Sequence, residues 1–353
     1  MTLPDFWFIL ITVLWTGYFF LEGFDFGVGI LLRAQARNPG ERRLLINIIG
    51  PVWDGNEVWV LTAVGATLAA FPAWYAQLLS GFYFFFLAIL VCMIIRVIAL
   101  EYRAKREDAR WKKNCEEAVF YTSLLLPFLW GMVLSGMTDG IALNSQGHFD
   151  GSIWCLFTPY NIFGGVFFVL LSTLHGALFV ALKTRGVIRY ESGELVRLWS
   201  PAMGVIYAAY LLWGLVGTGS GLALVFAGLG LATLLSALYC NFKSREGWAF
   251  ALNGIAIAGV IATLFAGMFP DVMPSTLNDS WSLTVTGAAS SHYTLTVMTI
   301  VAVIFAPLVI AYQAWTYWVF RKRIGVRNLP GENTTPAQPA VIPLPLDRPK
   351  PGN

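Results

Sequence analysis

The hydrophobic positions of this chain fall into long apolar runs separated by short polar segments. Nine runs are near or above the length of about 20 residues that a helix needs to cross a bilayer. They cover residues 6–32, 52–71, 74–100, 118–138, 161–182, 200–217, 221–242, 247–269 and 293–320. The pattern therefore predicts an all-α polytopic membrane protein with nine transmembrane helices.

Composition supports the same fold class. Of the 353 residues, 57% are hydrophobic and only 12% are charged, whereas about a quarter of a soluble globular chain is charged. The four cysteines form no CxxC pair, so the sequence predicts neither a disulfide framework nor a zinc or iron–sulfur site.

The basic residues predict an orientation. Lys and Arg occur in alternate connections, at 33–50, 101–117, 183–199 and 243–245, and again after residue 320. The other connections, 71–74, 139–160, 217–221 and 270–292, contain none. By the positive-inside rule the N-terminus lies outside and the C-terminus in the cytoplasm, which requires an odd number of spans. Residues 1–325 form the membrane domain, and the proline-rich residues 326–353 are predicted to be a disordered cytoplasmic tail.

A weak internal sequence repeat suggests that the membrane domain has two related halves. Glu22 and Gly23 precede Arg33 by about the same spacing as His175 and Gly176 precede Arg185. Helices 1–4 and 5–8 are therefore interpreted as related quartets, with helix nine, at about 293–320, as an extra element.

Two pairs of carboxylates within the apolar runs are the candidate functional residues. Glu22 and Asp25 lie three residues apart, as do Asp54 and Glu57, so each pair occupies one face of a helix. A carboxylate near the bilayer centre costs about 2.5–3.5 kcal/mol, and four of them about 10 kcal/mol. We therefore expect them to face protein, water or each other. A series of carboxyl groups entering the membrane suits a proton relay; the alternative is a polar cluster that locks helices together.

Two further polar residues lie within predicted spans. Arg96 either extends its guanidinium to the membrane surface or pairs with a helix-two carboxylate or an anionic cofactor group. His175 has no evident second ligand facing it, so we predict a hydrogen-bonded residue rather than a haem ligand. Gly23, Gly27 and Gly29 are predicted to let helix one approach a neighbour closely.

The motifs together resemble one family. They are EGFDFGVG at 22–29, GPVWDGNEVW at 50–59, the segment from Phe82 to Arg96, MFPDVMPST at 268–276, and TLTVM at 294–298 followed by AWTYW at 314–318. This combination resembles subunit II of cytochrome bd quinol oxidase over about residues 5–325.

The resemblance implies a multi-pass subunit of a terminal oxidase in the bacterial cell membrane. Such an enzyme oxidises a membrane quinol, reduces dioxygen to water and takes protons from the cytoplasm, so it is electrogenic without pumping. Subunit I carries two b-type haems and haem d, and subunit II usually holds no haem. Other implied partners are lipid and small accessory subunits, but not nucleic acid.

The resemblance also assigns roles to residues, none of them catalytic. The position of Asp54 belongs to a proton channel towards subunit I, and that of Glu22 lies near the channel mouth. The family often has Asp at position 22 and Gln at 57. Arg96 or the aromatic residues near Trp53 are implied contacts for a structural quinone. The alternatives are an assembly partner without a proton role and a stand-alone proton-coupled transporter.

Overall fold

The first helix, α1 (Leu3–Ala34), is the longest and begins at a capping box. Asp5 N donates to Thr2 Oγ1 at 3.3 Å, and Thr2 N donates to Asp5 Oδ2 at 2.7 Å. These two bonds satisfy backbone donors that have no partner inside the helix. At 1.5 Å per residue α1 is about 48 Å long, enough to cross a bilayer.

The computed structural model describes residues 1–216 and 218–329 and is mostly helical. The remaining helices are α2 (Pro39–Ile49), α3 (Trp53–Ala70), α4 (Pro72–Gly81), α5 (Tyr83–Tyr102), α6 (Ala109–Asp139), α7 (Pro159–Lys183), α8 (Val187–Leu215), α9 (Gly221–Phe242), α10 (Glu246–Met268) and α11 (His292–Val319). Strands β1 (Asp271–Met273) and β2 (Leu283–Thr284) pair antiparallel between α10 and α11.

Eight helices in the described ranges are long and apolar enough to cross a membrane. The all-α polytopic membrane fold is therefore confirmed. The predicted second span does form a helix, α3, but it is outside that set, because the first five of its 18 residues include Asp54, Asn56 and Glu57. The count of nine spans and their orientation remain predictions.

Two helices differ from the predicted spans. The run 74–100 is divided at Phe82, whose backbone (φ −106°, ψ 25°) leaves the helix, so α4 and α5 are separate. Helix α2 lies in a connection predicted only to be basic. It is capped by Asn38, whose side chain accepts from Glu41 N at 2.9 Å. It buries one apolar face, formed by Leu44, Leu45, Ile48 and Ile49.

Helix α1 is central, and glycine permits its closest approach to another helix. It packs against α3, α6, α7 and α10. A Cβ on Gly27 would lie 2.0 Å from the carbonyl oxygen of Ser172 in α7, and one on Gly29 would lie 2.0 Å from Ser123 Oγ in α6. The close approach predicted for these two glycines is confirmed; Gly23 meets only the His175 ring, at 3.8 Å.

The basic connections meet at one end of the molecule. Arg33, in the last turn of α1, pairs with Glu117 of α6 at 3.1 Å, and Arg37 pairs with Glu191 of α8 at 2.7 Å. These contacts join three connections that the sequence assigned to one side of the membrane.

Helix α11 lies at the periphery and is followed by a segment that returns to the basic end. Only Leu295 of this helix is fully buried. Beyond it, Ile324 N donates to Lys183 O and Arg185 N donates to Ile324 O, both at 3.0 Å. The predicted tail begins with a 3₁₀ turn at Val326–Asn328; its remainder, 330–353, lies outside the described residues.

Candidate functional site

Glu22 and Asp25 lie on one face of α1, and both are completely buried. Their spacing of three residues places the two carboxylates on neighbouring positions of the helix surface. Neither faces the apolar exterior, as their cost in lipid requires. The sequence-based expectation for these two residues therefore agrees with the structure.

Arg96 of α5 is the counter-charge of Glu22. Its Nη1 donates to Glu22 Oε1, and its Nε donates to Ser123 Oγ at 3.3 Å. The guanidinium carbon lies 5.1 Å from the centre of the Phe26 ring. Because Arg96 is 0% exposed, its side chain does not reach the membrane surface, and its partner belongs to helix one rather than to helix two.

Asp25 is held by an amide. Asn56 Nδ2 of α3 donates to Asp25 Oδ2 at 2.7 Å, and Asn56 Oδ1 accepts from Gln313 Nε2 at 3.0 Å and from Tyr317 OH at 2.7 Å. Two donors on Oδ1 fix the orientation of the amide, because rotating it would place the NH₂ group against Gln313 and Tyr317. Helix α11 thereby keeps an N–H donor directed at Asp25.

The second carboxylate pair is divided between interior and surface. Glu57 is partly buried, and its Oε1 has no protein partner in the described structure. Asp54 is exposed. Both line a groove of 310 Å³ between α3 and α5, together with apolar residues such as Leu61 and Ile94. Glu22 and Asp25 thus face protein, Glu57 is partly covered by protein, and Asp54 lies on the surface of this chain.

Five buried polar atoms of this cluster have no hydrogen-bond partner among the described residues. They are Tyr18 OH, Glu22 Oε2, Asp25 Oδ1, Glu57 Oε1 and Arg96 Nη2. The charges of Glu22, Asp25 and Glu57 all act on Arg96, so these groups form one electrostatic unit. Buried polar atoms of this kind are usually satisfied by water, and a hydrated cluster of carboxyl groups can accept and release protons.

Comparison with known proteins identifies the family to which this chain belongs. Residues 3–320 match the family described as "Cytochrome bd terminal oxidase subunit II". The chain is a member of that family.

Two named relatives give the extent of the similarity. The chain is 38% identical over 331 residues to "Cytochrome bd ubiquinol oxidase subunit 2" of Bacillus subtilis, covering 92% of this chain and 97% of the relative. It is 31% identical over 356 residues to "Cytochrome bd-I ubiquinol oxidase subunit 2" of Escherichia coli K12, covering 90% and 94%. The resemblance inferred from the motifs is thus confirmed, as is the assignment to a membrane.

A solved structure has the same fold. The bd oxidase from Geobacillus thermodenitrificans contains a chain that superposes with a TM-score of 0.67 and is 17% identical, over 91% of this chain and 99% of that one. At that identity the match describes the fold alone.

The other residues singled out in this subunit II sequence occupy different surroundings. His175 Nε2 bonds to Phe20 O and Nδ1 to Asn253 Nδ2, both at 3.0 Å, so the hydrogen-bonded role predicted for His175 is confirmed. Its ring stacks on Phe250 with centroids 4.5 Å apart. Ligation of a haem iron would break one of these hydrogen bonds. Trp53 lines a pocket at the basic end, whereas Arg96 has no exposed surface for a bound molecule to contact.

Several members of the cluster were missed by sequence reasoning. Asn56 lies inside the motif at 50–59 but carries no charge, and Tyr18 and Ser123 look like ordinary residues of an apolar helix. A signal does exist for Gln313 and Tyr317, which are separated by four residues and so share one face of α11. Their common partner, Asn56 of α3, is 257 residues away from Gln313 in the sequence. Helical periodicity does not predict a contact over such a distance.

Proposed function

We propose that this chain is subunit II of a quinol:oxygen oxidoreductase. It pairs with a haem-bearing subunit I and supplies part of the cytoplasmic proton path for the reduction of dioxygen to water. Membership of the family supports the oxidase assignment. The observation that carries the proton role is the buried cluster of Glu22, Asp25 and Arg96. Glu57, which has an unpartnered buried oxygen, shares a surface groove with the exposed Asp54.

The position of Asp54 supports a partner on the face formed by α3 and α5. A carboxylate exposed to lipid is costly, yet Asp54 opens on a groove with apolar walls. Exposed apolar residues line this groove on both sides, with Val58 and Leu61 from α3 and Ile94 and Ile98 from α5. Subunit I packed on this face would cover Asp54 and receive protons from it.

The proposal includes the topology and the cofactors that accompany it. Nine spans, counting α3, place the basic connections and the C-terminus in the cytoplasm, where the protons originate. Subunit I carries the two b-type haems and haem d, which supply electron transfer and oxygen reduction. The residues of this chain hold and move protons. A structural quinone, if bound to this subunit, contacts the Trp53 region rather than the fully buried Arg96.

The test is oxygen consumption by the complex purified through a tag on this chain. We expect b- and d-type haem bands in the reduced-minus-oxidised spectrum and a second large subunit in the preparation. Asp54→Asn removes the exchangeable proton at nearly constant size, so quinol-driven oxygen consumption should fall about tenfold or more while haem content stays unchanged.

Asp150→Asn is the matched control, because Asp150 is exposed in the connection between α6 and α7 and lies outside the cluster. It should retain full activity. A haem-free preparation would refute the oxidase assignment, and full activity of Asp54→Asn would refute the proton role of Asp54.

A further inference from the structure

A polar pocket lies at the basic end of the molecule, where α2, the start of α3 and the end of α5 meet. Its volume is 260 Å³, and its polar lining comes from Arg43, Asn47, Trp53, Glu101 and Arg103. It is separate from the buried cluster, and the proposed proton path does not include it.

The pocket is rich in N–H donors that lack partners. Within the described part of the chain, the side chains of Arg43, Asn47 and Trp53 make no hydrogen bond or ion pair. Arg103, which is only 8% exposed, uses Nε and Nη2 on Glu116 Oε1 at 3.0 and 2.6 Å. Its Nη1 has no partner among the same residues, so four different side chains offer N–H groups to one space.

The charge of the pocket favours an anion. Arg103 is anchored by Glu116, which also pairs with Arg42 at 3.5 Å, so two guanidinium groups share that single carboxylate. Glu101 is an exposed carboxylate in the lining, opposed by Arg43 and Arg103. Guanidinium forks, an amide and an indole N–H together match the oxygens of a phosphate group.

The surroundings indicate that the phosphate belongs to a lipid. Helix α2 buries one apolar face and carries Arg42 and Arg43 on its polar part, as a helix at the membrane surface does. Helix α5 leaves the pocket with an exposed apolar stripe beside the Asp54 groove, through Tyr102, Ile95 and Val91. Basic pockets between helices at the cytoplasmic surface bind anionic headgroups. We propose that this pocket binds the phosphate of an anionic phospholipid whose acyl chains lie along that stripe.

The inference goes beyond the proposed function, because headgroup binding requires neither quinol nor oxygen. The test is native mass spectrometry of the delipidated complex titrated with phosphatidylglycerol. Arg43→Gln removes one charge from the pocket and should weaken binding about fivefold. Asn47→Leu, at an exposed position of α2, should also weaken it. Arg110→Gln removes the same charge from an exposed position on the first turn of α6 and should bind like the unaltered protein.

Inorganic phosphate, titrated alone, distinguishes the two sources of the ligand. We expect it to bind far more weakly than the lipid, because it lacks acyl chains to contact α5. Phosphate binding that depends on Arg43 without any lipid binding would overturn the lipid proposal. So would equal lipid binding by all the variants. Loss of a polypeptide from the Arg43→Gln complex, instead of lipid, would assign the pocket to a protein partner.

Discussion

Arg96 and Glu22 place opposite charges where neither has access to bulk water. Both side chains are almost completely buried, so each depends on the other to offset its loss of hydration. The two groups are not equivalent, because a carboxyl group can become neutral by binding a proton whereas a guanidinium stays charged. Substitutions at the two positions should therefore have unequal effects.

We expect Glu22→Met to destabilise the protein more than Arg96→Met. The first leaves a permanently charged guanidinium and should cost about 3–5 kcal/mol, and the second leaves a carboxyl that can be protonated. The double variant should recover most of the loss. Thermal unfolding of the detergent-solubilised protein measures the stability of the two single variants and the double variant. A double variant that loses as much stability as the two single variants added together would contradict this account.

Asn56 links Asp25 to α11, because one end of its amide bonds to Asp25 and the other end bonds to residues of α11. Its carbonyl oxygen is occupied by Gln313 and Tyr317, so its NH₂ group faces the carboxylate. The motif at 50–59 made Asp54 and Glu57 conspicuous because they are charged, yet the neutral residue between them makes more contacts inside the chain. Charge in an apolar run identifies candidate residues, but it does not identify the neutral groups that orient them.

The crossing of α1 and α7 depends on two glycines that face each other. A Cβ on Gly27 would be 2.7 Å from Gly176 Cα, and one on Gly176 would be 2.4 Å from the Gly27 carbonyl carbon. These neighbours are backbone atoms of long helices, so they cannot move aside individually. Close packing at small residues of this kind is one of the forces that hold helices together in a membrane.

Gly27→Ala should therefore separate α1 from α7 and lower the yield of folded protein. Gly65→Ala, on α3, is the matched control, because a Cβ there would meet nothing within 4 Å. Size-exclusion chromatography of a fluorescent fusion reports both variants, and a normal monodisperse peak for Gly27→Ala would contradict the packing argument.

The sequence predicts best those helices that are apolar along their whole length. Runs such as 221–242 coincide with the observed α9 because every part of the run is apolar. Helix α2 was missed because it is short and carries Arg42 and Arg43 on one face. The break at Phe82 was missed because a change in backbone direction between two apolar helices leaves the hydrophobic pattern intact.

The whole molecule separates its charges between two ends. The connections at one end carry the Arg and Lys residues and their ion pairs, while the connections 139–160 and 270–292 contain neither residue type. The proposed orientation follows from this asymmetry. The sequence predicts this asymmetry because it depends only on how many Arg and Lys residues each connection contains. The ion pairs between connections depend on the fold and could not be predicted from the sequence.

A native cysteine can test the orientation. Cys155 is exposed in the connection between α6 and α7, whereas Cys92 and Cys115 are buried. A membrane-impermeant maleimide should label Cys155 in intact spheroplasts, and Cys155→Ser should abolish that labelling. Labelling that appears only after the cells are opened and is lost in Cys155→Ser would reverse the proposed topology.

The light packing of α11 has a consequence for biogenesis. This helix is held at one end by Trp7 Nε1, which donates to Thr299 Oγ1 at 3.0 Å, and in its second half by Asn56. Trp7 and Asn56 both lie early in the chain, whereas their partners in α11 lie near its end. These hydrogen bonds can therefore form only after the ribosome has produced almost the whole chain. A truncated polypeptide would leave the Asn56 carbonyl buried and unbonded. The polar cluster can therefore be completed only after α11 has been synthesised.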